Sequence, residues 1–180
     1  MNRLAASIIG MIVVVAVVWA FGCCQMTQYS GDGQLIDNGA LAAKDRYVLN
    51  LGSINLKKQS LQTFQIVNLP EANFVMGIEI SVASEDRVAI ENQQVNAIVS
   101  LELSTSKGMT LFTMKAPMAA WTWSVPAGGH RAFIYGRGGP GTYFNADSKT
   151  EYTLAFNVLE PDRSQSTYTA LLIAKSGGWK

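Results

Sequence analysis

Charge and cysteine are both scarce in this chain. Only 15% of its 180 residues are charged, against about 25% in an ordinary soluble domain, and 14 Lys+Arg against 13 Asp+Glu leave it at +1. Nucleic acid is bound by concentrated positive fields, so a body this close to neutral excludes it as the expected partner. The two cysteines, Cys23 and Cys24, are adjacent, and none follows them. That rules out a disulfide framework and a thiolate metal site in the folded body. A single histidine, His130, excludes any site built on two or more imidazoles. No Asp-rich loop of fixed spacing is present either, so no metal and no cofactor are expected. None of the ten asparagines stands in an Asn-x-Ser/Thr sequon, which is compatible with a bacterial source.

One long uncharged run is present, from Leu4 to Phe21, behind the positive start Met1-Asn2-Arg3. Secretory apolar segments are about 7 to 15 residues long and spanning helices roughly 17 to 25, so this run stands at the border and predicts an N-terminal hydrophobic helix. Trp19-Ala20-Phe21-Gly22-Cys23 resembles the lipobox of bacterial lipoproteins. The resemblance implies a signal peptide cut before Cys23, with an acyl chain such as palmitate on the Cys23 thiol. Two further readings stay open: an uncleaved single-span anchor, and secretion with cleavage after Gly22. In all three the positive end stays cytoplasmic and the body is exported, because the next positive residue after Arg3 is Lys44.

Residues 1–22 are therefore a signal or anchor segment. Residues 23–44, rich in Gly, Asp, Gln and Ser, form the expected flexible tether, and residues 45–180 the folded domain. From Asp45 onward the apolar pattern has period two, the mark of half-buried strands. Phe74, Met76, Ile78, Ile80 and Val82 share one parity, as do Val95, Ala97, Val99, Leu101 and Leu103, and Tyr152, Leu154, Phe156 and Val158. Turn residues punctuate these runs, and about nine strands are expected near 45–53, 60–69, 74–83, 95–104, 109–115, 119–125, 131–136, 142–145 with 151–159, and 167–175. The pattern predicts an all-β fold, a single antiparallel β-sandwich of jelly-roll type. Asp45 to Gly52, Trp121-Thr122-Trp123-Ser124, Gly141-Thr142-Tyr143-Phe144 and the closing run Tyr152 to Lys180 resemble a set of uncharacterised bacterial envelope proteins. That resemblance implies a location and a fold, and no activity.

Four groups of residues invite a chemical reading. Trp121 and Trp123 share one parity, so both indoles face the same way. With Tyr143 or Trp179 they would make an aromatic platform for sugar rings or a protein interface, against the plainer reading that they are core. Trp179, after Gly177-Gly178, is a candidate for packing over a sheet edge or for recognition. Gly136-Arg137-Gly138-Gly139-Pro140-Gly141 matches G-x-G-x-x-G, but the following Thr142-Tyr143-Phe144 reads as strand where a phosphate cradle needs a helix. His130, Ser124 and Asp147 are the formal members of a hydrolytic triad without any nucleophile elbow around them.

The sequence thus leads to a membrane-anchored, exported β-sandwich in the bacterial cell envelope, on the periplasmic or extracellular side. Its expected role is that of a non-enzymatic binding protein or accessory subunit of an envelope assembly, with a protein or glycan as partner. A carbohydrate-binding module built on the aromatic platform and a small envelope hydrolase are the alternatives.

Overall fold

The structure, a computed structural model, describes residues 28–39, 44–83, 95–125, 130–136 and 141–177. The leader with Cys23, and Trp179, lie outside the described residues, as does the expected N-terminal helix. Among the described residues no helix is long and apolar enough to cross a membrane.

Twelve strands are described: β1 (Ser30–Gly31), β2 (Gln34–Asp37), β3 (Lys44–Ile54), β4 (Ser60–Val67), β5 (Asn73–Val82), β6 (Ile98–Thr105), β7 (Thr110–Pro117), β8 (Thr122–Ser124), β9 (Arg131–Tyr135), β10 (Tyr143–Asn145), β11 (Tyr152–Glu160) and β12 (Tyr168–Gly177). A 3-10 turn, Met118–Ala120, joins β7 to β8. The strands form two antiparallel sheets that face each other as a β-sandwich. The first sheet runs β1-β4-β11-β6-β7, and the second runs β2-β3-β12-β5-β9-β8 with β10 also on β5.

Alternation decides which side of each strand is buried. Phe74, Met76, Ile78 and Ile80 of β5 are fully buried on the inner face of the second sheet, opposite Leu154, Phe156 and Val158 of β11 and Leu101 and Leu103 of β6 on the first. These belong to one contiguous core, which is why the period-two runs dominate the sequence. At one end of the sandwich the core closes with an aromatic chain. Tyr47 lies 6.4 Å from Phe74, Phe74 5.8 Å from Phe144, and Phe144 5.7 Å from Tyr152 and 6.4 Å from Phe112, between ring centroids. A second cluster, Val75, Phe133, Tyr135 and Ile173, occupies the other face of the second sheet.

The tether expected over residues 23–44 differs from what forms. β1 pairs with β4 (Ser30 opposite Val67) and β2 pairs with β3 (Leu35 opposite Leu49, Asp37 opposite Tyr47). This short segment therefore crosses from the edge of one sheet to the edge of the other. Asp32 fixes the crossing from both sides: its amide donates to the Gln65 carbonyl at 2.7 Å, and its Oδ2 accepts the Gln65 amide at 2.7 Å. Tyr29 and Leu35 pack against the core and supply the apolar contact that ordering the segment requires.

β9 and β10 are two stretches of one track along β5. Tyr135 pairs with Gly77 and Tyr143 with Val75. Between them buried Thr142 stands opposite Met76, accepting the Met76 amide at 2.9 Å and donating its own hydroxyl to the Met76 carbonyl at 2.6 Å. A side-chain hydroxyl thus replaces one rung of the ladder at the point where the G-x-G-x-x-G segment leaves and returns.

Candidate functional site

Where the chain crosses between the sheets it leaves a cleft of about 600 Å³, within the usual range for small-molecule pockets, roughly 300–1,000 Å³. Tyr29, Leu35, Tyr47 and Pro70 give it apolar walls, and Gln28, Gln34 and Asp37 bring polar groups. It lies at the aromatic end of the sandwich, because Tyr47 both lines it and stacks on Phe74. Gly33 is required at its floor. The residue has φ +84, and a Cβ there would fall onto the Asn50 carbonyl oxygen, so any side chain would push β2 off β3.

Asp37 and Tyr29 are tied to fixed partners at the cleft. Asp37 Oδ1 accepts the Gly39 amide at 2.8 Å and faces Arg46 Nε at 3.4 Å. The amide and then the guanidinium keep its carboxyl below the usual range. The Arg46 guanidinium also lies 4.7 Å from the centre of the Tyr47 ring, so its charge is engaged with Asp37 and the ring together. Tyr29 donates to the Asp32 carbonyl at 2.5 Å, and burial, then the Asp32 charge, push its phenol up to about 12.

The opposite end of the sandwich is organised around Asp162, whose side chain is wholly buried. It accepts hydrogen bonds from the Tyr168 hydroxyl (2.6 Å), the Ser164 hydroxyl (2.7 Å), the Ser164 amide (3.0 Å) and the Asn96 amide (3.1 Å), and Lys57 Nζ lies 3.6 Å away. Burial alone would raise the Asp162 carboxyl. The donors of Tyr168, Ser164 and Asn96 outweigh it and hold the group below the carboxylate range. Tyr168 is shifted upward, first by burial and then by its bond to Asp162. Each acceptor position here is filled by the protein's own donors, so the cluster ties the turn at Lys57, the strand entrance at Asn96 and the β11–β12 connection to one another.

The residues singled out in the sequence do not converge. Trp121 is 4% exposed and belongs to the core, and Trp123, half-buried, packs against the same core. Trp123 pairs with Ile134, a fully buried residue, which places its indole on the inner face of the second sheet. Tyr143 pairs with Val75 on the other face of that sheet. Trp121 and Trp123 are therefore separated from Tyr143 by the sheet itself. Cys23 and Trp179 fall outside the described residues.

Ser124, His130 and Asp147 form no triad. The His130 carbonyl accepts the Val82 amide at one end of β5, whereas Asp147 sits beyond β10 at the other, bonded to Tyr152, Lys149 and Thr150. The ten residues of β5 put His130 and Asp147 on the order of 30 Å apart. The Lys149 amide and then the Thr150 hydroxyl account for the lowered Asp147 carboxyl without any catalytic partner. The G-x-G-x-x-G string opens into strand β10 and not into a helix. Among the described residues no group of three or more His, Cys, Asp or Glu could hold a metal ion.

The cleft residues Tyr29, Leu35, Asp37 and Tyr47 were not apparent in the sequence. The one available signal was Asp32-Gly33, a turn dipeptide between Tyr29 and Leu35. No protein-family model and no curated protein sequence matches the chain.

Proposed function

We propose that this chain is an exported β-sandwich held at a bacterial membrane by an acyl chain on Cys23 or by its leader, acting as a non-enzymatic binding or accessory subunit of an envelope assembly. The observation that carries the proposal is the uncharged run Leu4 to Phe21 ending in the lipobox-like Trp19-Ala20-Phe21-Gly22-Cys23, and the position of β1 says where the anchored body would lie. Only residues 24–27 separate Cys23 from Gln28, so their Cα atoms are at most about 18 Å apart. A body joined so closely to an anchor stands against the membrane with its cleft on the anchored side. The strand orders β3-β12-β5-β9 in one sheet and β4-β11-β6-β7 in the other support a jelly-roll topology, a scaffold that presents binding sites through its edges and loops.

Intact mass spectrometry of the protein extracted from its own membranes tests the reading. The expected species is membrane-bound and is either a chain starting at acylated Cys23 or the uncut full chain. Cys23→Ser is expected to block cleavage in the acylated case and, in the spanning case, to change the mass by no more than the substitution and the absent acyl groups. An unacylated body recovered in the soluble fraction contradicts the proposal.

A further inference from the structure

We infer that the cleft between β1 and β2 binds a neutral sugar ring. The inference deepens the binding role proposed above and rests on it only for the nearness of the membrane. Charge narrows the ligand first. Among the described residues no Lys or Arg lines the cleft, and the Arg46 guanidinium beside it is engaged with Asp37 and the Tyr47 ring, so a phosphate, a sulfate or a nucleotide would have to draw that charge away from its internal partners. Among the described residues the lining carboxylate is Asp37, already matched by Arg46, so a cationic ligand would have to displace an internal partner. What remains favoured is an uncharged ligand.

The walls narrow it further. Tyr29, Leu35 and Pro70 offer apolar surface of the kind that receives the C–H face of a pyranose ring, Tyr47, covered by Arg46 and Phe74, holds the wall behind them, and Gln28, Gln34 and Asp37 are the side chains that pair with vicinal hydroxyls. Among the described residues no hydrogen bond engages the Gln28 or Gln34 side-chain amide. Both Asp37 contacts fall on Oδ1, so Oδ2 keeps its acceptor capacity. The rings need little ordering on binding, because Tyr47 is packed between Arg46 and Phe74 and the Tyr29 hydroxyl is tied to Asp32. With the chain anchored at Cys23, Gln28 at the rim of the cleft lies within about 18 Å of the anchor, a reach that suits a glycolipid headgroup as readily as a free glycan strand, and both present the same ring chemistry.

The test uses isotope-labelled full-length chain in nanodiscs, without glycosidic detergent. Three probes are added at millimolar concentration: cellotetraose, an N-acetylglucosamine tetramer and, as charged control, a hyaluronate tetramer. Amide shifts at residues 28–37 and at Tyr47 are expected to move with a neutral oligosaccharide and not with hyaluronate. Tyr47→Ala is expected to weaken binding by about tenfold or more, whereas Tyr47→Phe, which keeps the ring, retains most of it. If Tyr47→Ala does not fold, Gln28→Ala at an exposed position replaces it, with a loss of about threefold or more. A second set of nanodiscs containing a neutral glucosyl diglyceride separates the two sources: movement of the same amides assigns the headgroup, movement with soluble sugar alone assigns the free glycan, and both support the site. The inference is overturned if no neutral sugar moves these amides, if hyaluronate binds more tightly, or if the shifts centre on Trp121 and Trp123. Membrane attachment is read separately by intact mass, so failure of either idea is distinguishable from failure of the other.

Discussion

A single carboxylate holds together three segments far apart in the chain. Asp162 collects the donors of Asn96, Ser164 and Tyr168 and faces Lys57. Its removal leaves buried donors without an acceptor, and that loss, more than the attraction to half-exposed Lys57, sets the cost. Asp162→Ala is expected to destabilise the protein by about 3 kcal/mol, measured by urea unfolding at neutral pH; a loss below about 1 kcal/mol contradicts the network's role. The pH dependence has a definite sign. The folded carboxyl is held below its unfolded value, so the folded state favours the charged form. Its contribution is complete above the ordinary carboxylate range, near pH 4, and is lost as pH falls through the lower folded value. Asp162→Asn is expected to flatten that acid limb while leaving the profile above about pH 5 unchanged in shape.

At the scale of elements, the least regular part of the sandwich is the pair of short strands that wrap its edge. β1 and β2 hold by few contacts: the Asp32–Gln65 exchange, the pairing of Leu35 with Leu49, and the tight turn that only glycine permits at residue 33. Gly33→Ala is expected to cost about 1–3 kcal/mol and to speed hydrogen exchange at the Asp32 and Gln65 amides, with the β11–β6 ladder unaffected. Unchanged exchange at those amides would mean that the segment is not built into the sheets. The long strands were legible beforehand because alternation persisted over many residues, as from Phe74 to Val82 and from Tyr152 to Val158, and only a two-faced sheet demands that pattern. β1 and β2 were not legible. Two and four residues are too few for a period to show, and their Gly, Asp and Gln content reads equally well as a spacer. Parity likewise told that Trp121 and Trp123 share a side, but only the pairing of Trp123 with Ile134 decides that the side is the interior. Tyr29 and Tyr47 lie far apart in sequence from Pro70, so the cleft exists only once both sheets are assembled.

For the whole molecule, the two ends of the sandwich differ. One end carries the aromatic chain, the cleft and Gln28, the first described residue. The other carries Asp162 and its donors, separated from the first by the eight residues of β4, or about 25 Å along the strand. If the body is anchored at or before Cys23, the short connection forces this polarity to lie relative to the membrane, with the cleft near the headgroups. The direct test is amide line broadening in the full-length protein, purified from its own membranes and placed in nanodiscs containing gadolinium-chelating lipid. The account predicts strongest broadening from Tyr29 to Asp37 and weakest at Lys57, Lys58 and residues 162–164. Equal broadening at both ends, or none at either, would contradict it.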